Sequence, residues 1–102
     1  KRGVAMESKS QMIAIINKIT SLLQFSEEEF WLSFFNHVLE GLDKGQDEKC
    51  LCDSILKTFQ GQMGSLNDLV LHKDGKPLIE ENNQLDALKD QLFDICMDVK
   101  DR

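Results

Sequence analysis

The chain reads as an all-α protein, a compact four-helix domain with a short hairpin-like insertion between the third and fourth helices. Three observations predict this. Apolar residues recur at three- and four-residue spacing in four separate stretches, as in helices that bury one face. Pro77 is the only proline in 102 residues, and proline is the residue least tolerated inside a helix. The period changes only ahead of the last stretch, where Asp74-Gly75 suits a tight turn between two short extended runs.

The first helix is expected over residues 7–24, with Met12, Ile13, Ile16, Ile19, Leu22 and Leu23 on one face and Lys18 and Ser21 opposite. Met6 reads as a native start, and residues 1–5 as a tail ahead of a single domain over 6–102. Ser26-x-x-Glu29 has the form of a capping box, with Phe25 and Phe30 at the positions of a hydrophobic staple. This opens a second helix that runs to about Lys44 and stops at Gly45. Between Phe30 and Leu42 its apolar residues cover about half the circumference at 100° per residue. Ser33, Asn36, His37 and Glu40 fill the rest. Such an arc predicts a helix touched by two neighbours, hence the centre of the bundle, with Trp31 in the core. The third helix is expected over 47–59, with Leu51, Cys52, Ile55, Leu56 and Phe59 inward and Gly61 as its stop.

After it, Ser65 is placed to N-cap a single turn that Asp68 closes. Leu69 to His72 looks extended, and Lys76-Pro77-Leu78-Ile79 pairs back across Asp74-Gly75, with Pro77 demanding an edge position. The fourth helix is expected from Asn82 or Asn83 to about Lys100. Its narrow seam consists of Leu85, Leu88, Leu92, Ile95, Cys96 and Val99.

Charge narrows the function. Eighteen acids against twelve bases give a net charge of −6, which disfavours nucleic acid and anionic membrane and favours a basic protein partner. The only arginines, Arg2 and Arg102, stand at the ends. No apolar run is long enough for a membrane span, and an odd cysteine count with no signal peptide suggests a reducing cytoplasm.

The run from Phe59 through Gln62 and Met63-Gly64-Ser65-Leu66-Asn67-Asp68-Leu69-Val70 resembles the signature of a family of small bacterial helical proteins. That signature is Phe-Gly-Gly-Met-Gly-Ser-x-Asn-Asp-Leu-Val, set between a helix and a closing helix; Gln60 and Gln62 depart from it. The resemblance implies an uncharacterised protein, similar in size and charge to immunity proteins encoded beside toxins. The composition of the run suits a structural lock: Gly64 permits positive φ, Ser65 caps, and Asn67 and Asp68 bond nearby backbone amides. The competing reading is a recognition loop made of Gly64, Ser65, Asn67 and Asp68.

Catalytic and metal chemistry are poorly supported. Cys50 and Cys52 are two apart, so on a helix their thiols diverge by about 200°, whereas zinc pairs use two to four intervening residues. His37, His72 and Cys96 would have to converge on them from three other elements. Cys50 lies near a helix N-terminus and beside Lys49, which predicts a lowered thiol pKa, but neither histidine stands in a recognisable relation to it. The reading is therefore of a chain with no enzyme activity, metal or cofactor.

One surface remains. Asp86, Asp90, Asp94 and Asp98 recur every four residues, and of the four only Asp98 has a base four positions on, Arg102. Each such like-charged contact costs about 0.2–0.5 kcal/mol. Phe93 and Met97 interleave with them. Asp86, Asp90, Phe93, Asp94 and Met97 are thus the expected partner-binding residues, an apolar anchor within an acidic field. The leading expectation is a non-enzymatic immunity protein that occludes the active surface of a basic bacterial toxin. The alternative is a structural or regulatory helical module acting as a homodimer, burying surplus apolar surface of the second helix.

Overall fold

Four helices do form, in the expected order: α1 (Val4–Phe25), α2 (Glu29–Asp43), α3 (Glu48–Lys57) and α4 (Ile79–Lys100). A single 3₁₀ turn, Leu66–Asp68, and two short strands, β1 (His72–Lys73) and β2 (Lys76–Pro77), separate α3 from α4. The computed structural model describes residues 4–60 and 65–101, and gives the backbone alone for 4–7 and 67. The expected tail at 1–5 and start at Met6 fall at the edge of this span, and the Gly61 stop and the Gly64 turn lie outside it.

One core joins all four helices: Met12, Ile16 and Ile19 from α1, Phe35 and Leu42 from α2, Ile55 from α3 and Leu85 and Leu92 from α4 are fully buried. Leu66 and Leu71, from the connecting segment, are buried with them, and Leu69 packs against them. α4 packs along both α1 and α3, and α1 along α2 and α4, whereas α2 meets α3 only lightly. The expectation that α2 lies at the centre is therefore wrong. Its broad arc is not all covered: Trp31, Phe35, Val38 and Leu42 go inside, Leu32, Phe34 and Leu39 are half-buried, and Phe30 is 73% exposed.

The α1–α2 corner also differs from expectation. Ser26 does not open α2; its Oγ donates to the Leu22 carbonyl at 2.9 Å and finishes α1. Glu27 then takes φ +62°, and the amides of Glu27 and Glu28 return to the carbonyls of Gln24 and Leu23. That is a Schellman stop built on glutamate. Glu28 takes the N-cap position of α2 without a side-chain cap, so neither the capping box nor the Phe25–Phe30 staple forms. At the other end of α2 the expectation holds: Gly45 has φ +79°, and the amides of Gly45 and Gln46 bond back to Leu42 and Gly41. Asp47 caps α3 by accepting from the Lys49 amide at 3.1 Å.

The hairpin is antiparallel, pairing His72 with Pro77 and Lys73 with Lys76. Asp74 and Gly75 both have positive φ, as a two-residue turn with the sheet's own twist requires. Ile79 begins α4 rather than extending the strand. Asn82 is not the cap but a clamp. Its Oδ1 accepts from the Leu71 amide at 2.7 Å, and its Nδ2 donates to the carbonyls of Leu71 and Leu78 at 3.1 and 2.8 Å.

Candidate interaction surface

α4 has two flanks, one facing α1 and one facing α3. At 100° per residue a four-residue step advances by about 40°. The aspartate row therefore crosses the exposed side diagonally instead of running parallel to the helix axis. Asp94 lines a furrow with Gln11, Ala14 and Ile15 of α1. Phe93 and Met97 line a separate groove of about 510 Å³ with Leu56 and Phe59, edged by Lys57 and Lys100. The expected patch is thus split between two flanks, although Asp90 and Asp94 remain helix-surface neighbours of Phe93 and Met97.

Phe93 and Met97 are 39% and 43% exposed. Phe93 is not free-standing, because it meets the ring of Phe59 edge-on with centroids 5.4 Å apart. Phe59 lies beyond the end of α3, which stops at Lys57 instead of running through it as expected. The groove is therefore an aromatic notch with one open side.

Asp86 is less available than the sequence suggested. It pairs at 3.5 Å with Lys89, three positions on, a spacing the four-residue count passes over. Lys89 is itself 6% exposed, and its ammonium also donates to the Leu66 carbonyl at 3.2 Å. That bond ties α4 to the 3₁₀ turn at Leu66–Asp68. The signal was present: Lys89 lies about 40° from Leu85 on the wheel, inside the buried face. No ion pair holds Asp90 or Asp94 among the described residues.

Across the groove, Asp53 of α3 accepts from Lys100 at 2.8 Å and Lys57 lies 3.3 Å away. The Lys100 hydrogen bond, followed by the one from Lys57, holds the Asp53 carboxyl below its ordinary range, and Asp53 in turn raises Lys100. The Asp53 charge on the α3 wall is thereby neutralised. Lys57 stands four positions on from Asp53, a spacing visible in the sequence, but Lys100 is 47 residues away and reaches Asp53 only through packing.

The segment from Ser65 onward is tied to the end of α3. The Leu66 amide donates to the Thr58 carbonyl at 2.7 Å. Ser65 occupies the N-cap position of the 3₁₀ turn but makes no side-chain cap. Its Oγ is buried without a hydrogen-bond partner among the described residues, contrary to the expected capping. Asp68 is exposed, and the Gly64 conformation and Asn67 side chain lie outside what is described.

The thiols also correct an expectation. Cys50 is exposed, but its pKa is raised, not lowered, because Asp47 accepts its hydrogen bond at 3.5 Å. Cys52 and Cys96 are buried where α3 meets α4. Their mutual hydrogen bond, with burial, pushes the Cys96 thiol far up. Among the described residues no group of three or more His, Cys, Asp or Glu is placed to hold a metal ion, and no helix is long and apolar enough to cross a membrane.

Fold and surface together define a small helical domain whose last helix presents an acidic, aromatic-notched flank. The chain belongs to the family described as Domain of unknown function (DUF6966), which matches residues 25–79, just over half of its length. The match spans α2, α3, the 3₁₀ turn and the hairpin; the acidic side of α4 lies beyond it. No match was found among curated proteins or solved structures.

Proposed function

We propose that this chain is a non-enzymatic binding protein that captures a basic protein partner on the exposed side of α4, from Asp90 and Asp94 to the Phe93–Met97 groove. Its biological setting would be that of an immunity protein, cytoplasmic and bacterial, neutralising a basic toxin by covering the toxin's active surface. The observation that carries this reading is the pairing of two features. Asp90 and Asp94 have no cation of their own among the described residues, and Phe93 and Met97 stand half-open beside them over the Phe59 notch. Unpaired surface carboxylates steer a basic partner and orient it; a partly exposed aromatic in a notch supplies the desolvated centre of a hot spot. Inhibitor and nucleic acid, both polyanions, would compete for the same basic surface of a nuclease toxin.

The test is to co-express the chain with the product of the gene adjacent to its own. A basic product that arrests growth alone, and is silenced by this chain, supports the proposal. The double variant Asp90→Lys, Asp94→Lys should then slow association with that product by about tenfold or more while the helical circular dichroism stays unchanged. Unaltered association would remove α4 from the account.

A further inference from the structure

Phe30, near the start of α2, is the most exposed aromatic ring among the described residues. It opens a seam at seven-residue spacing: Phe30, His37 and Lys44, with half-buried Phe34 alongside. Phe34, His37 and Lys44 edge a groove of about 420 Å³ between α2 and α3, floored by Val38, Gly41 and Leu51. Of the acids of the same helix, Glu29 and Asp43 fall away from this line at 100° per residue, whereas Glu40 lines the groove beside His37 and Lys44. On a protein of net charge −6, the seam is close to neutral, its Lys44 paired with Glu40 at 3.4 Å.

We infer that this seam receives a second copy of the same chain, the two α2 helices lying antiparallel across a two-fold axis at His37. The seam is complementary to itself. Phe30 and Lys44 each stand seven residues from His37, on opposite sides. Antiparallel pairing therefore brings the Phe30 ring of each copy to the Lys44 ammonium of the other, twice over, as an isologous interface requires. The chain already makes this type of contact internally, with the Lys73 ammonium 4.2 Å from the Phe25 ring centroid. Lys44 is now held by an exposed bond to Glu40 at 3.4 Å, of the kind that contributes little, so it is free to turn. Glu29, beside Phe30, then lies within the field of the same lysine. Antiparallel macrodipoles add to the attraction. Elsewhere two such acidic copies repel; a basic partner, conversely, finds on this seam only Glu40, which Lys44 already pairs.

Sedimentation equilibrium of the 11.7 kDa chain, up to millimolar concentration, tests this directly. The expected result is a mass rising toward two chains, nearly independent of salt. Phe30→Glu should return it to one chain, and Lys44→Glu should weaken association by about tenfold. Circular dichroism confirms that the Glu variant is folded, and the milder Phe30→Ser must also lower association. Asp90→Lys should leave the dimer intact. A single-chain mass at the highest concentration, or a dimer that survives both Phe30 substitutions, overturns the inference. Neither outcome bears on capture at α4, which is read from a different surface.

Discussion

α2 and α4 are held in the bundle by different means. α4 drives Leu85 and Leu92 fully into the core and is also clasped by polar groups: Asn82 to the hairpin, Lys89 to the Leu66 carbonyl, Lys100 to Asp53. α2 relies on its packing against α1, touches α3 lightly and leaves a flank uncovered. The helix with the broader apolar arc is thus the peripheral one, and the helix with the narrow seam is the organiser. Breadth of apolar face reports how much surface a helix offers, not how much its own fold consumes; the surplus is where a second molecule can bind.

The comparison is sharpened most by core truncation. Leu92→Ala in α4 should destabilise the domain by about 2–5 kcal/mol in urea unfolding, whereas Phe30→Ala on α2 should stay within about 0.5 kcal/mol. Equal costs would break the contrast. Next in size is the polar clasp. Asn82→Ala leaves the buried Leu71 amide without its acceptor, so a loss of about 1–3 kcal/mol is expected, with Leu71 exchanging its amide hydrogen faster. A neutral result would mean that the apolar seam alone holds α4.

The α1–α2 corner offers a smaller change of opposite sign. Glu27 sits at φ +62°, a region that costs a side-chain-bearing residue about 1 kcal/mol relative to glycine. Glu27→Gly should therefore stabilise the fold by a fraction of that, raising the urea midpoint. Thiol chemistry probes the α3–α4 seam: in the native protein only Cys50 should react with a bulky disulfide reagent, slowly at neutral pH and faster in Asp47→Ala. Early reaction of Cys52 or Cys96 would show that α4 opens readily. The smallest effect is the pH dependence of the Asp53 cluster. Its carboxyl is depressed, so its stabilisation is present above the unfolded carboxylate pKa and is lost as pH falls through the lower native value. Lys100→Met should move the Asp53 titration, followed by carboxyl NMR, back toward the ordinary range.

Much of this architecture was legible without coordinates. The four helices, the Gly45 stop and the Asp74-Gly75 turn all follow from local rules, since periodicity and φ preference act within a few residues. The Ser26 box misled because Ser26 satisfies either of two helix ends equally well, and α1 claimed it by one more turn. The stop at Glu27 has no glycine to announce it. At the candidate surface, Asp90, Asp94, Phe93 and Met97 were recognisable from spacing on one helix. Phe59, which roofs their groove, and Asp53, which quiets its opposite wall, reach it only through packing.

What the sequence determined by itself, then, is the set of helices, their apolar faces and the excess of acid on α4, because these depend on contacts between near neighbours in the chain. Tertiary structure alone decided which helix became central, that Lys89 would be buried against the Leu66 carbonyl, and that the aspartate row would divide between two flanks. Those outcomes depend on which elements compete for the same buried space. That competition is settled by total burial and hydrogen-bond satisfaction across the whole domain, which no single segment encodes.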